Sequence, residues 1–390
     1  MSVSKNTVKK TGHRASLRNM MGHSYPIYAC TGTNHARHFI GSLYILWWLE
    51  AEVFKVTCEK KNYRIVKIRR VQVMKDMISL FKDKAVVDTT LNVVMINSFG
   101  KEEDGLDNSG VFLDALSAFW NSFYDSCTNG EDERVPAIRH DFQAAEWEAI
   151  ARIIVKGYQQ VGFFPIKLGK AFTIACLFGE EAVKEDLLLE LFLAYLSSDE
   201  RELVNLFLNG KLEEEQENVW LDLLERFDCK AVPKVKQVKD VVLEIAHKEF
   251  IQTPRYIVDS WSTPLSPLHR QFSSPDCLLE IFVRGKPTNK KIISLFEANP
   301  ETRAQEEALS YLKRLVRGME DEKLTKFLRF CTGSNMVCVE KITINFNNLE
   351  GAETSRTHLR SSAGSPCHIS ILSIVPRGME QHTVLRVLGH

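Results

Sequence analysis

The chain has little of what marks a secreted, membrane-held or metal-stapled protein. Its nine cysteines are an odd number, scattered without regular spacing, and no Cys-x-x-Cys pair occurs. That argues against a disulfide framework and a structural zinc site, and for reduced thiols in the cytosol or nucleus. Neither sign of charge is in excess, with Lys+Arg and Asp+Glu both 50. No global field therefore points to nucleic acid or to a membrane surface. The apolar run from Phe39 to Phe54 is too short to span a bilayer. It carries His38, Glu50 and Glu52 at or near its ends, and no signal cleavage site follows it. There is no internal repeat, no low-complexity block and no Ser/His/Asp arrangement with motif support. Gly169 and Lys170 lack the glycine-rich lead and trailing Ser/Thr of a phosphate loop.

What is present is ordinary globular sequence in quantity. At 390 residues and 44% apolar, the chain has room for two or three domains with substantial cores. Residues 1–64 differ from the rest. Met1 to Arg18 is basic and polar and is expected to be disordered. Cys30, His35 and His38 admit a zinc reading, against the plainer one of a loose or packed extension.

From Tyr63 onward helical periodicity dominates. Val73, Met77, Ile78 and Phe81 share one helical face; so do Phe112, Leu116, Phe119, Trp120 and Phe123, and Trp147, Ile150, Ile154 and Tyr158. Leu91 to Ile96 has strand length. Ser197 and Glu200 form a capping box between two helices over 185–208. Two more helices are expected over 218–227 and 238–250, before a Pro-rich break at 263–269. Ala308, Leu312, Leu315 and Val316 mark a helix over 303–319. A hinge is expected near residues 299–303.

The last third carries the chemistry. Leu324, Phe327, Leu328 and Cys331 line one face of a helix that stops at Thr332, Gly333, Ser334 and Asn335, with Gly333 able to take positive φ. Ile342, Ile344 and Phe346 alternate as a strand. A polar stretch over 347–365 reads as a mobile loop that delivers Cys367. A second strand follows, in which Ile369 and Ile371 alternate with Ser370. A thiol on a loop just ahead of a buried strand is held by rigid structure and open to a partner.

The run from Phe327 to Ser334, a cysteine about thirty residues later and an Ile/Leu-rich strand ending in Pro376 resemble the C-terminal lobe of a HECT-type ubiquitin ligase. Glu103, Gly105, Asp107 and Gly110, between a strand and a helix, resemble the opening of that family's N-terminal lobe. The likeness covers roughly Tyr63 to Pro376. It implies a mainly helical α+β fold with two lobes: an N-terminal lobe over 65–302 and a small α+β lobe over 303–390. It implies a ubiquitin transferase in which Cys367 accepts ubiquitin as a thioester from a conjugating enzyme and passes it to a substrate lysine. No metal or organic cofactor is needed. The partners implied are ubiquitin, a conjugating enzyme docking on residues 185–265, and protein substrates, in the cytoplasm or nucleus. Phe207, Trp220, Phe250 and Tyr256 are the aromatics in that stretch to test for exposure. His368 is either a surface histidine or a group that polarises the thiol. The alternative is a HECT-like interaction scaffold without catalysis. It is suggested by Pro366 where the family has Thr, by Leu113 and Asp114 where it has Arg and Glu, and by a tail ending at His390 with no Phe near it.

Overall fold

The computed structural model describes residues 63–103, 108–211, 214–229, 237–348 and 367–374. The N-terminal extension with Cys30, His35 and His38, the turn at Gly105 and Asp107, the loop with Pro366, and the tail lie outside the described residues.

Alternation in Tyr63–Arg69 makes a first strand, β1, with Val66 and Ile68 buried. It pairs in parallel with β2 (Thr90–Ile96), which buries Leu91, Val93 and Met95. Parallel neighbours need a crossover. Helix α1 (Val73–Phe81) supplies it, with Val73, Met77, Ile78 and Phe81 inward as their spacing predicts. β1 adds a strand to those expected from the sequence.

Helix α2 (Asn108–Cys127) buries Phe112, Leu116, Phe119, Trp120 and Phe123. A short antiparallel pair, β3 (Thr128–Asn129) and β4 (Val135–Pro136), leads to α3 (Ala144–Val161), which opens with a Gln143–Glu146 capping box. Helix α4 (Lys170–Phe178) is buried from Ala171 to Leu177 and sits at the centre of the packing. The expected pairs follow: α5 (Glu185–Tyr195) and α6 (Ser198–Leu208), with the Ser197–Glu200 capping box between them, then α7 (Glu217–Arg226) and α8 (Val238–His247). Helix α9 (Arg255–Leu265) places Trp261 edge-on to Phe172, with ring centroids 5.2 Å apart. It ends one residue after Pro264, and a 3-10 turn over Ser266–Arg270 leads toward α10 (Pro275–Gly285). These elements share one apolar core.

A second core is separate. It is made by α11 (Asn289–Ser294), β5 (Phe296–Ala298), α12 (Arg303–Arg317), α13 (Asp321–Thr332), β6 (Lys341–Asn348) and β7 (Cys367–Ile374). The sheet order is β5-β6-β7, with β5 parallel and β7 antiparallel to β6. Ile292, Leu312, Val316, Leu324, Leu328, Cys331, Val339, Ile342 and Ile344 fill this core. Core membership changes between Phe282 and Ile292, ahead of the hinge expected at 299–303, because β5 is tied to β6 by its pairing. Leu315, expected on the buried face of α12, is exposed. The described part of the second core covers α12 along Gln305, Leu312 and Val316, with Ala308 and Leu309 partly buried against it. The whole is a mainly helical α+β protein, with one small sheet in each core and the short β3–β4 pair besides.

Candidate functional site

Cys367 is the first residue of β7, and the register sets it opposite Asn348, at the end of the ladder. Further along the ladder Ile369 stands opposite Phe346 and Ile371 opposite Ile344. The backbone of β7 lies against α12 and α13. So the structure brings together the helix that ends at Thr332 and the strand expected after Cys367. Cys367 itself, placed by the sequence on the preceding loop, opens the strand, because the ladder extends to its pair with Asn348.

Helix α13 forms as its spacing dictates, with Leu324, Leu328 and Cys331 buried and Phe330 exposed. Thr332 donates its hydroxyl to the Leu328 carbonyl at 2.9 Å, and Gly333 takes φ 75°. A side chain at residue 333 would be excluded on two counts. The left-handed backbone disfavours it, and a Cβ there would lie 2.4 Å from the Gly110 carbonyl oxygen.

That close approach brings the turn onto α2. Ser117 donates to the Gly333 carbonyl at 3.1 Å and accepts from the Asn335 amide at 3.3 Å. The Asn335 side chain donates to Asn121 at 3.0 Å. Arg329 donates to Asp114 through Nε and Nη2, at 3.0 and 2.7 Å. Arg70 donates to the other Asp114 oxygen at 2.7 Å and to both oxygens of Glu103 at 2.8 and 2.6 Å. The Arg70 side chain holds the Glu103 carboxyl below the usual carboxylate range, chiefly by hydrogen bonding. Beyond the turn, Met336 is buried in the first core, and the Val337 amide donates to the Gly285 carbonyl at 2.9 Å.

The sequence sets Glu103 among the residues that carry the resemblance but assigns no role to Arg70, Asp114, Ser117 or Asn121. A signal was available. Asp114, Ser117 and Asn121 recur at helical spacing on a helix whose other stripe is apolar, which marks a polar face meant for a partner.

Beside the junction a cleft of about 510 Å³ opens, lined among others by Trp120, Phe164, Phe282, Asp321 and Met336. Glu133 lies buried in its wall, accepting from the Lys170 ammonium and, at 2.7 Å, from the Lys170 amide. Burial pushes the Glu133 carboxyl up, although Lys170 pulls it back.

The thiols divide by environment. Burial pushes Cys331 and Cys338 up to about 12 and raises Cys127 and Cys176 as well. Such thiols hold almost no thiolate at neutral pH. Cys277 is the exception among these. It is half-buried in the first turn of α10, and hydrogen bonds with Ser273 and Ser274 lower its pKa. Of the four aromatics named for docking, Phe207, Trp220 and Phe250 are core, and Tyr256, on α9, is 44% exposed. Among the described residues no group of three or more His, Cys, Asp or Glu could hold a metal ion, and no helix is long and apolar enough to cross a membrane. No protein-family model matches this chain, and no curated protein matches it.

Proposed function

We propose that the protein is a ubiquitin transferase of the HECT type and that Cys367 is its acceptor thiol. The observation that carries the reading is the setting of Cys367. It begins an edge strand, β7, of a small sheet with its own core, and β7 lies against α13, the helix that ends at Thr332. The large helical core over 65–285 and the small α+β core after it agree with the two-lobed arrangement that the motifs imply.

The chemistry asks little of the protein. The Cys367 thiolate attacks the carbonyl carbon of a ubiquitin thioester on the conjugating enzyme. The new C–S bond forms as the old one breaks, and the conjugating enzyme leaves as a thiol. A substrate lysine amine then attacks the Cys367 thioester, forms an amide and releases the Cys367 thiol. Nothing is oxidised or reduced. The first exchange is close to thermoneutral, so access and a few per cent of thiolate suffice.

A charging assay with ubiquitin, activating enzyme and a panel of conjugating enzymes tests the reading. Wild type should form an adduct that thiol reductant cleaves. Cys367→Ala should lose it, and Cys367→Ser should trap a reductant-stable ester. Cys331→Ala, Cys338→Ala and Cys277→Ala should still charge. An adduct that survives Cys367→Ala but not Cys277→Ala would move the acceptor to α10.

Pro366 gives the scaffold reading its footing, because it removes the amide donor next to the thiol and restricts Ser365 to extended backbone. Charging by Pro366→Thr but never by wild type would decide for the scaffold.

A further inference from the structure

The cleft beside the junction takes no part in the thiol chemistry, yet its wall has the composition of a ligand site. It holds about 510 Å³, inside the range of roughly 300–1,000 Å³ over which proteins enclose small molecules. Trp120, Phe163, Phe164, Phe282 and Met336, all buried members of the first core, give it an apolar lining. Aromatic walls of this kind suit a flat, apolar body.

A few polar groups interrupt the lining. Glu133 is 3% exposed. One of its oxygens accepts from the Lys170 amide and the other from the Lys170 ammonium. The amide bond holds the N-terminus of α4, which accounts for the place of Glu133 in the fold. It does not exhaust the group, since a carboxylate accepts about four hydrogen bonds. The Lys170 ammonium, 5.7 Å from the centre of the Phe282 ring, likewise has donors beyond the one given to Glu133. Trp120 adds a donor with nothing to bind. Four tryptophans bury an unpartnered indole N–H among the described residues, and Trp120 is the one of them in this wall. The exposed charges of the cleft, Lys167 and Lys286 against Glu131, Asp132 and Asp321, are close to balance and select no net charge.

We propose that this cleft is a binding site for a neutral, planar aromatic carboxamide, its rings against the apolar lining and its amide matched to Glu133, Lys170 and Trp120. The carbonyl oxygen accepts from the spare donors, and the amide N–H donates to the Glu133 carboxylate. The alternatives fit less well. An aromatic carboxylate would set a second anion beside Glu133. An aromatic amine would set a second cation beside Lys170 and offer Trp120 no acceptor. A primary amide carries acceptor and donor together and no charge. The site stands whether or not Cys367 accepts ubiquitin.

Naphthalene-2-carboxamide is the probe, titrated into the full chain near neutral pH, with naphthalene-2-carboxylate and naphthalen-2-ylmethanamine as its charged counterparts. Indole N–H resonances in nitrogen–proton correlation spectra give both the affinity and the place. The amide should bind about tenfold more tightly than either counterpart and should move the Trp120 resonance, identified by its loss in Trp120→Phe. That variant keeps a ring in the wall and removes the donor, so it should weaken the amide about tenfold. Glu133→Gln keeps the shape of the side chain and removes the anion. The carboxylate should then gain about tenfold on the amide, a change of ranking that a purely structural role for Glu133 would not produce. Should either variant fail to fold, the ranking of the three compounds in wild type answers alone. Equal binding of all three, binding of none up to the limit of solubility, or amide binding that leaves the Trp120 resonance in place would each overturn the site.

Discussion

The two cores differ in what fills them. The first encloses Trp120, Trp147 and Trp261 and nine phenylalanines as its largest fully buried side chains. Among the described residues the second has no fully buried ring; its buried members are aliphatic apart from Cys331, and Phe296, Phe327 and Phe346 are only partly covered. Each aromatic side chain removes roughly 150–250 Å² from water, so among the described residues the first core buries most of the aromatic surface. It also carries most of the unpaired buried polar atoms among the described residues, although Thr343 on β6 buries an unpaired hydroxyl too. Trp120, Trp147, Trp220 and Trp261 bury indole N–H groups with no partner, and Arg152 and Lys156 bring cations inside. Whether the second core draws stability from the first is open to direct measurement.

The strongest way to break this comparison is to hollow the larger core. Trp261→Ala should cost about 3–5 kcal/mol in denaturant unfolding and lower amide protection in both cores. If β6 keeps its protection while α3 loses it, the second core does not lean on the first. Leu328→Ala should cost about 2–4 kcal/mol, with the loss confined to α13 and β6 by hydrogen exchange. Spread of that loss into α3 would merge the two cores into one cooperative unit.

Lys156 sharpens the contrast through pH. Burial pushes it down to about 8, and its ammonium donates to the Val87 carbonyl at 3.1 Å. Below about pH 8 folded and unfolded chains both carry the proton, and the full cost of burying the charge is present. Between about pH 8 and the ordinary lysine value near 10.4 the folded chain sheds the proton first, so stability rises with pH. Lys156→Met should therefore stabilise the protein by about 1–2 kcal/mol at pH 7, with the gain shrinking toward pH 10. Protection in α3 should follow pH in this way, and protection in β6 should not. The smallest effect is a surface one. Ser197→Ala removes one half of the capping box of α6 and should cost about 1 kcal/mol. The change should show as fraying of α6 and leave the second core untouched.

Periodicity made most of this legible. The apolar faces of α1, α2, α3 and α13 and the alternation in β6 are encoded locally, residue by residue, and they fold as their spacing says. The Ser197 capping box is equally local. What escaped depends on partners distant in sequence. β1 is a strand because β2 lies beside it. Leu315 is exposed because the second core stops short of it. Residues 289–298 belong with the second core because β5 pairs with β6 across more than forty intervening residues. Phe207, Trp220 and Phe250 could not be told from docking aromatics by type alone, and packing decided for the core. At the site, the strand after Cys367 and the turn at Gly333 were readable; the pairing of Cys367 itself with Asn348 was not. The partnership of Asp114 with Arg70 and Arg329 was not, since no local pattern links residues 114 and 329.

The register of β6 against β7 has a consequence for how this part of the chain can vary. Asn348 and Cys367 face each other as the last pair of the ladder. Because the side-chain period of a strand is two, a shift of one residue within 367–374 would change every pairing of the strand and turn it over.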